Sequence, residues 1–221
     1  MSETTGTPPP EVPVFDEAFR ARLEELLIWR RDVRHFRTDP LAAETVMALI
    51  DSCRLAPSVG NAQPWRFVLI ETPAMRARMI ANFERCNEAA LKGYDGEQAR
   101  LYSQLKLSGM RDAPVQMAVL TDTEPAAGHG LGRQTMPETL HYSTVCAIYT
   151  MWLTARARDI GIGWVSIIDP AQVEDDLGTP ASWRLTAYLC IGYPRYMDDE
   201  PELVRRDWQQ RLDIRQQILR R

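Results

Sequence analysis

Paired cysteines, metal-spaced histidines and nucleotide-loop glycines are all missing from this chain. Its four cysteines, Cys53, Cys86, Cys146 and Cys190, are far apart and form no CxxC. Each falls in an apolar-periodic context, which fits buried, reduced thiols and a cytoplasmic setting rather than a disulfide framework. The three histidines, His35, His129 and His141, lack ligand spacing, so no metal is expected. Without GxGxxG or GxxxxGK(S/T), neither nicotinamide-dinucleotide nor P-loop binding is indicated. No GxSxG elbow occurs, and Ser166 has no histidine beside it, so a hydrolase is poorly supported. A formal net charge of −4 provides no general attraction to nucleic acid or acidic membranes. The most apolar stretch, residues 142–155, falls short of the roughly 20 residues a bilayer span needs.

What is present reads as an ordinary globular protein. Hydrophobic residues make up 45% and charged residues 25% of 221 positions, enough for one substantial core. Residues 1–14, rich in Pro, Thr and Glu, are expected to form a mobile tail, and residues 15–221 one domain. Apolar periodicity predicts helices over 16–30, after the Asp39-Pro40 cap, and over 138–159. A buried strand is expected over 67–70, and further strands over 115–120, 161–168 and 185–191. A charged helical insertion, broken at residues 92–96, suggests a lid over about 82–108. Residues 202–221 read as a charged helical arm suited to wrapping another subunit. Strands and helices mix without strict alternation, so the fold class is α+β, with helices packed on a mixed, largely antiparallel sheet.

The run Arg30-Arg31-Asp32-Val33-Arg34 sets three guanidinium groups around one carboxylate. Arginine forks match phosphate, and a carboxylate among them is either a structural counter-ion or has chemistry of its own. The loop Pro57-Ser58-Val59-Gly60-Asn61-Ala62-Gln63-Pro64-Trp65 is dense in turn formers. Its Ser58, Asn61 and Gln63 offer donors and acceptors for a heteroaromatic edge. Gly161 and Gly163 allow backbone to approach a planar ring. Taken singly, the arginines also read as an ion-pair network, and Asn61 and Gln63 as turn satisfaction.

Together these segments resemble the nitroreductase-like flavoprotein family. The likeness rests on Arg30-Arg31-x-x-Arg34, Pro57-Ser58-x-x-x-x-Gln63-Pro64-Trp65, the strand opening at Gly161, and Gly192-Tyr193-Pro194. It implies an FMN-binding fold whose site lies at a homodimer interface. It also implies that Arg30, Arg31, Val33 and Arg34 hold the phosphate and ribityl end, with Pro57, Ser58, Gln63, Leu107, Gly163 and Val165 near the ring.

Ordinary members usually carry serine where this chain has Asp32. Further runs at residues 56–60, 105–109, 131–133, 142–147 and 200–203 are similar to a branch that consumes its flavin. The resemblance implies that reduced FMN is a substrate, broken down with O2 to 5,6-dimethylbenzimidazole, the lower ligand of vitamin B12, and erythrose 4-phosphate. An NAD(P)H-dependent flavin reductase would supply the reduced FMN. Asp32 would then act as general base and acid, with Ser166 orienting the oxygen chemistry or relaying a proton. The alternatives are an NAD(P)H-dependent FMN nitroreductase or flavin reductase, disfavoured by Asp32, and a flavin-storage protein, which needs neither Asp32 nor Ser166.

Overall fold

The structure, a computed structural model, describes residues 11–104 and 109–221. In chain order the elements are α1 (Glu17–Trp29), α2 (Ala43–Ser52), β1 (Trp65–Leu69), α3 (Pro73–Leu91), α4 (Gly96–Gln104), α5 (Gly109–Asp112) and β2 (Val115–Asp122). They continue with α6 (Thr139–Arg156), β3 (Gly161–Val165), α7 (Pro170–Leu177), β4 (Trp183–Gly192) and α8 (Glu202–Arg205).

Local chemistry sets several boundaries. Asp16 caps α1 by accepting from the Phe19 amide at 2.8 Å. Thr72 and Asp169 do the same before Pro73 and Pro170, with proline at the first helical position. The expected Asp39 cap does not form. The second helix starts at Ala43 without a side-chain cap, and Asp39 accepts instead from Arg37 Nε at 2.8 Å. Nor is the C-terminal arm one helix. Only α8 and a 3-10 turn at Ile214–Gln217 form there, because its few apolar side chains find no core to repay helix ordering. The third strand stops at Val165, three residues short of the sequence expectation, so Ser166 lies just beyond its end.

The strands pair antiparallel in the order β1-β2-β4-β3. The one parallel pairing among the described residues is an isolated bridge between Asp32 and Ile162. Both central strands are continuously buried, over residues 116–122 of β2 and 187–192 of β4, because both faces are covered. Met117 and Val119 of β2 pack with Ile148 and Met151 of α6, while Ala118 and Leu120 pack with Met79 and Phe83 of α3. Alternating side chains thus feed two cores, one on each side of the sheet.

The arginine-rich segment runs along the β3 edge. Val33 N donates to Ile162 O at 3.0 Å, Arg37 N to Tyr193 O at 2.8 Å, and Arg195 N to His35 O at 3.0 Å. Fully buried Phe36 plugs the segment into the second core. Close approach is possible because Gly163 has no side chain: a Cβ there would lie 2.1 Å from Val33 O.

Candidate active site

One aromatic residue sets the geometry around the arginines. Trp152, buried in α6, donates from Nε1 to Arg31 O at 3.2 Å. Its indole also lies under the Arg30 guanidinium, 5.0 Å from Cζ to the ring centroid. Arg31 donates to Arg30 O at 2.9 Å and to Asp199 O, just ahead of the C-terminal arm. Burial, followed by the neighbouring charges of Arg30 and Arg211, pulls Arg31 below the ordinary arginine range. Arg30 Nε and Arg31 Nε are buried without a hydrogen-bond partner among the described residues. Such donors call for an acceptor, and the crowded positive charge selects an anion.

Asp32 sits where that positive cleft meets the sheet edge. Its Oδ1 accepts from Trp164 N at 2.8 Å, and its Oδ2 accepts from Arg34 Nε at 3.2 Å. Arg34 also faces Glu202, with Nε 3.9 Å from Oε2. Burial pushes the Asp32 carboxyl up, outweighing the Trp164 N–H and the Arg34 charge, which pull it down. Its side chain still keeps 37% of its surface open, so the surrounding protein is dense while one side faces a cavity.

That cavity, of about 100 Å³, is lined by Asp32, Arg34, Phe83, Met110, Ser166 and Cys190, together with the backbone of residues 163–165. An adjoining cleft of about 240 Å³ is lined by Arg30, Arg31, Asp32, Arg34, Glu202 and Arg211. One chain therefore brings together Arg30, Arg31, Asp32, Val33, Arg34, Gly163, Val165 and Ser166. It does not bring the Pro57–Gln63 loop to them. That loop docks on the start of α6 through Val59 N to Ser143 Oγ at 3.0 Å, and Ser58 Oγ accepts from Gln63 N at 3.1 Å. Gln63 itself is exposed with φ of 45°, a left-handed conformation unusual for a non-glycine residue. Leu107 lies outside the described residues.

Sequence reasoning missed Phe83, Met110, Cys190 and Arg211 as site neighbours, and Trp152 as the support beneath Arg30. Only Glu202 carried a signal, as part of the Glu200-Pro201-Glu202-Leu203 run. Cys190 reaches the cavity through its pairing with Gly163 across β3 and β4, and burial pushes its thiol up to about 12. It is a neutral wall, not a nucleophile. Among the described residues no group of three His, Cys, Asp or Glu is placed to hold a metal, and no helix is long and apolar enough to cross a membrane.

Residues 27–193 match the model of the nitroreductase family, and the chain belongs to that family. It is 53% identical over 199 residues to 5,6-dimethylbenzimidazole synthase of Rhodospirillum rubrum, covering 90% of this chain and 94% of that protein. It is 50% identical over 198 residues to 5,6-dimethylbenzimidazole synthase of Rhodobacter capsulatus, covering 90% and 96%. The fold is similar to that of oxidized iodotyrosine deiodinase bound to FMN and 3-iodo-L-tyrosine, with a TM-score of 0.68 at 22% identity over 80% of this chain and 91% of that one.

Proposed function

We propose that this chain is a 5,6-dimethylbenzimidazole synthase, an oxidoreductase that takes reduced FMN as substrate and fragments it with O2 to 5,6-dimethylbenzimidazole, erythrose 4-phosphate and the pyrimidine remainder of the ring, which takes up the two oxygen atoms. The observation that carries this reading is the Asp32 carboxylate in the wall of the cavity that Ser166 also lines. The 53% identity to a named synthase supports it. The residues fit FMN: the unpartnered Nε atoms of Arg30 and Arg31 would meet its phosphate, and the backbone at Gly163 would lie against its ring.

When bound, reduced FMN supplies the electrons for oxygen chemistry. The protein's part is to hold the flavin and to move protons. Asp32 accepts one hydrogen bond on each carboxylate oxygen, which leaves lone pairs on both to take a proton from the substrate and return it. The Ser166 hydroxyl stands at the open end of β3 and would orient the oxygen or relay that proton. Residues 82–104, the described part of the expected lid, would cover the ring and exclude water.

The cavity within one chain is about 100 Å³, against roughly 300–1,000 Å³ for typical ligand sites. The Ser58–Gln63 loop, which does not line it, is then supplied by a second copy. Leu23, Leu27, Val145 and Tyr149 are exposed on α1 and α6, an apolar face suited to a homodimer. Sedimentation equilibrium should therefore return twice the chain mass, and a monomer would contradict the shared site. We place the enzyme in the cytoplasm, fed by an NAD(P)H-dependent flavin reductase.

Anaerobically reduced FMN, mixed with the protein and then exposed to air, should yield 5,6-dimethylbenzimidazole by mass spectrometry. Sustained NADPH oxidation with intact flavin would instead mark a nitroreductase. Ser166→Ala should bind FMN normally and form product about 10²-fold more slowly. An unchanged single-turnover rate would remove Ser166 from the chemistry.

A further inference from the structure

We propose that Asn82 is a positioning residue for Ser166, and that it ties the serine's placement to the root of the α3–α4 arm. This rests on the role of Ser166 given above. Asn82 lies in α3 with only 1% of its surface exposed. A buried amide is tolerated when its donor and acceptor are both satisfied, and here one residue satisfies both. Asn82 Nδ2 donates to Asp169 O at 3.1 Å, and Asn82 Oδ1 accepts from Asp169 N at 2.9 Å. The side chain thus pairs with the Asp169 backbone as a neighbouring strand would.

Asp169 is three residues beyond Ser166. Its carboxylate is committed elsewhere, accepting from Ala171 N at 3.1 Å and Gln172 N at 3.3 Å to cap α7. On the other side of Ser166, Trp164 N is held by Asp32 at 2.8 Å. Residues 166–168 lie outside the sheet ladder, so the serine's position depends on the anchors that flank it. Asp32 through Trp164 is one anchor, and Asn82 through Asp169 is the other.

Phe83 follows Asn82 and lines the same cavity as Ser166, while Ile167 and Ile168 pack against the core that contains Met79 and Phe83. A shift of α3 therefore moves the cavity wall and the serine together. An aliphatic residue at position 82 would fill the space without fixing the register of that loop. What the amide contributes is direction, because a hydrogen-bonded pair has an angle and an aliphatic contact does not.

The test uses the full-length protein with reduced FMN in air, counting dimethylbenzimidazole and hydrogen peroxide per reduced flavin oxidised. Flavin that escapes fragmentation is reoxidised as FMNH2 + O2 → FMN + H2O2, so the two products partition one pool. Asn82→Leu should keep FMN affinity within about twofold yet lower the dimethylbenzimidazole fraction about tenfold or more, with a matching rise in peroxide. Asn82→Asp keeps the shape and the acceptor for Asp169 N while losing the donor. It should fall between, and it carries the test if Asn82→Leu does not fold. Cys86→Ala removes the other side chain bonded to Asn82, whose Sγ lies 3.4 Å from Oδ1, and should keep the wild-type partition.

An unchanged partition in folded Asn82 variants would overturn the proposal. So would a loss equally large in Cys86→Ala, or a fall in yield matched by an equal fall in FMN affinity, since both mark general loosening. If the wild-type protein makes no dimethylbenzimidazole at all, it is the synthase reading that fails.

Discussion

Asp32→Asn should abolish dimethylbenzimidazole formation, slowing it by about 10²- to 10⁴-fold, while FMN still binds. Asparagine keeps the carbonyl that accepts the Trp164 N–H, so the bridge between the arginine segment and β3 survives. It removes the charge and the proton-accepting oxygen facing the cavity. Single-turnover assays with reduced FMN, alongside a flavin titration, separate the two effects. Product formation near the wild-type rate would end the assignment of Asp32 as the proton-moving group.

The same substitution carries a pH signature. Burial raises the Asp32 carboxyl above its ordinary value, so the folded protein holds that proton more tightly than the unfolded chain. Stability from this group is complete below the unfolded value and is lost as pH rises through the folded one. The ionised carboxylate is thus a burden at neutral pH, moderated because 37% of the side chain remains open. Asp32→Asn should therefore melt higher than wild type at pH 7, and the gain should shrink in acid. Catalysis runs in the opposite sense, because it needs the ionised form. Wild-type activity should fall on acidification while the pH is still above the usual carboxylate range.

Gly163→Ala should be the most damaging small change to the structure. The added methyl would meet Val33 O at 2.1 Å, a backbone atom that cannot withdraw without breaking the Val33–Ile162 hydrogen bond of 3.0 Å. Overpacking of this kind costs about 1–3 kcal/mol and sometimes more, or about 2–4 °C in melting temperature per kcal/mol for a domain this size. Displacing Val33 also displaces Asp32 and Arg34, so FMN affinity should fall with stability. Gly178→Ala is the control. Gly178 has φ of +62° and open space around it, so alanine there should cost about 1–2 kcal/mol through backbone strain and leave FMN binding unchanged. Wild-type melting and affinity in Gly163→Ala would refute the close approach of the two segments.

The residues of the candidate site were legible where they are contiguous. Arg30, Arg31, Asp32 and Arg34 lie within five positions, and Gly163 to Ser166 within four, so each group is delivered by one stretch of backbone. The second arginine-bearing element was not legible. Arg211 and Glu202 belong to an arm whose composition suggested a helix, yet its position depends on contacts such as Arg31 to Asp199 O. Asp39-Pro40 had the form of a helix cap, but Arg37 two residues earlier took the carboxylate. Local pattern cannot rank two partners when both lie within reach.

The sequence by itself determined the α+β class, the four strands, the arginine–carboxylate run and, through its likeness to flavoproteins, the expectation of a flavin ligand. These are carried by periodicity and by short contiguous motifs, which survive without knowledge of distant neighbours. Only the tertiary structure decided that Asp32 bridges to β3, that Cys190 and Phe83 form the cavity wall, and that Ser58 and Gln63 do not line the cavity within one chain. It alone decided that Asn82 clamps the loop bearing Ser166. These facts depend on strand pairing and on helices folding back across 80 or more residues, as in the Asn82–Asp169 pair at a separation of 87. No local pattern in the sequence encodes which of many distant backbone groups a buried amide will meet.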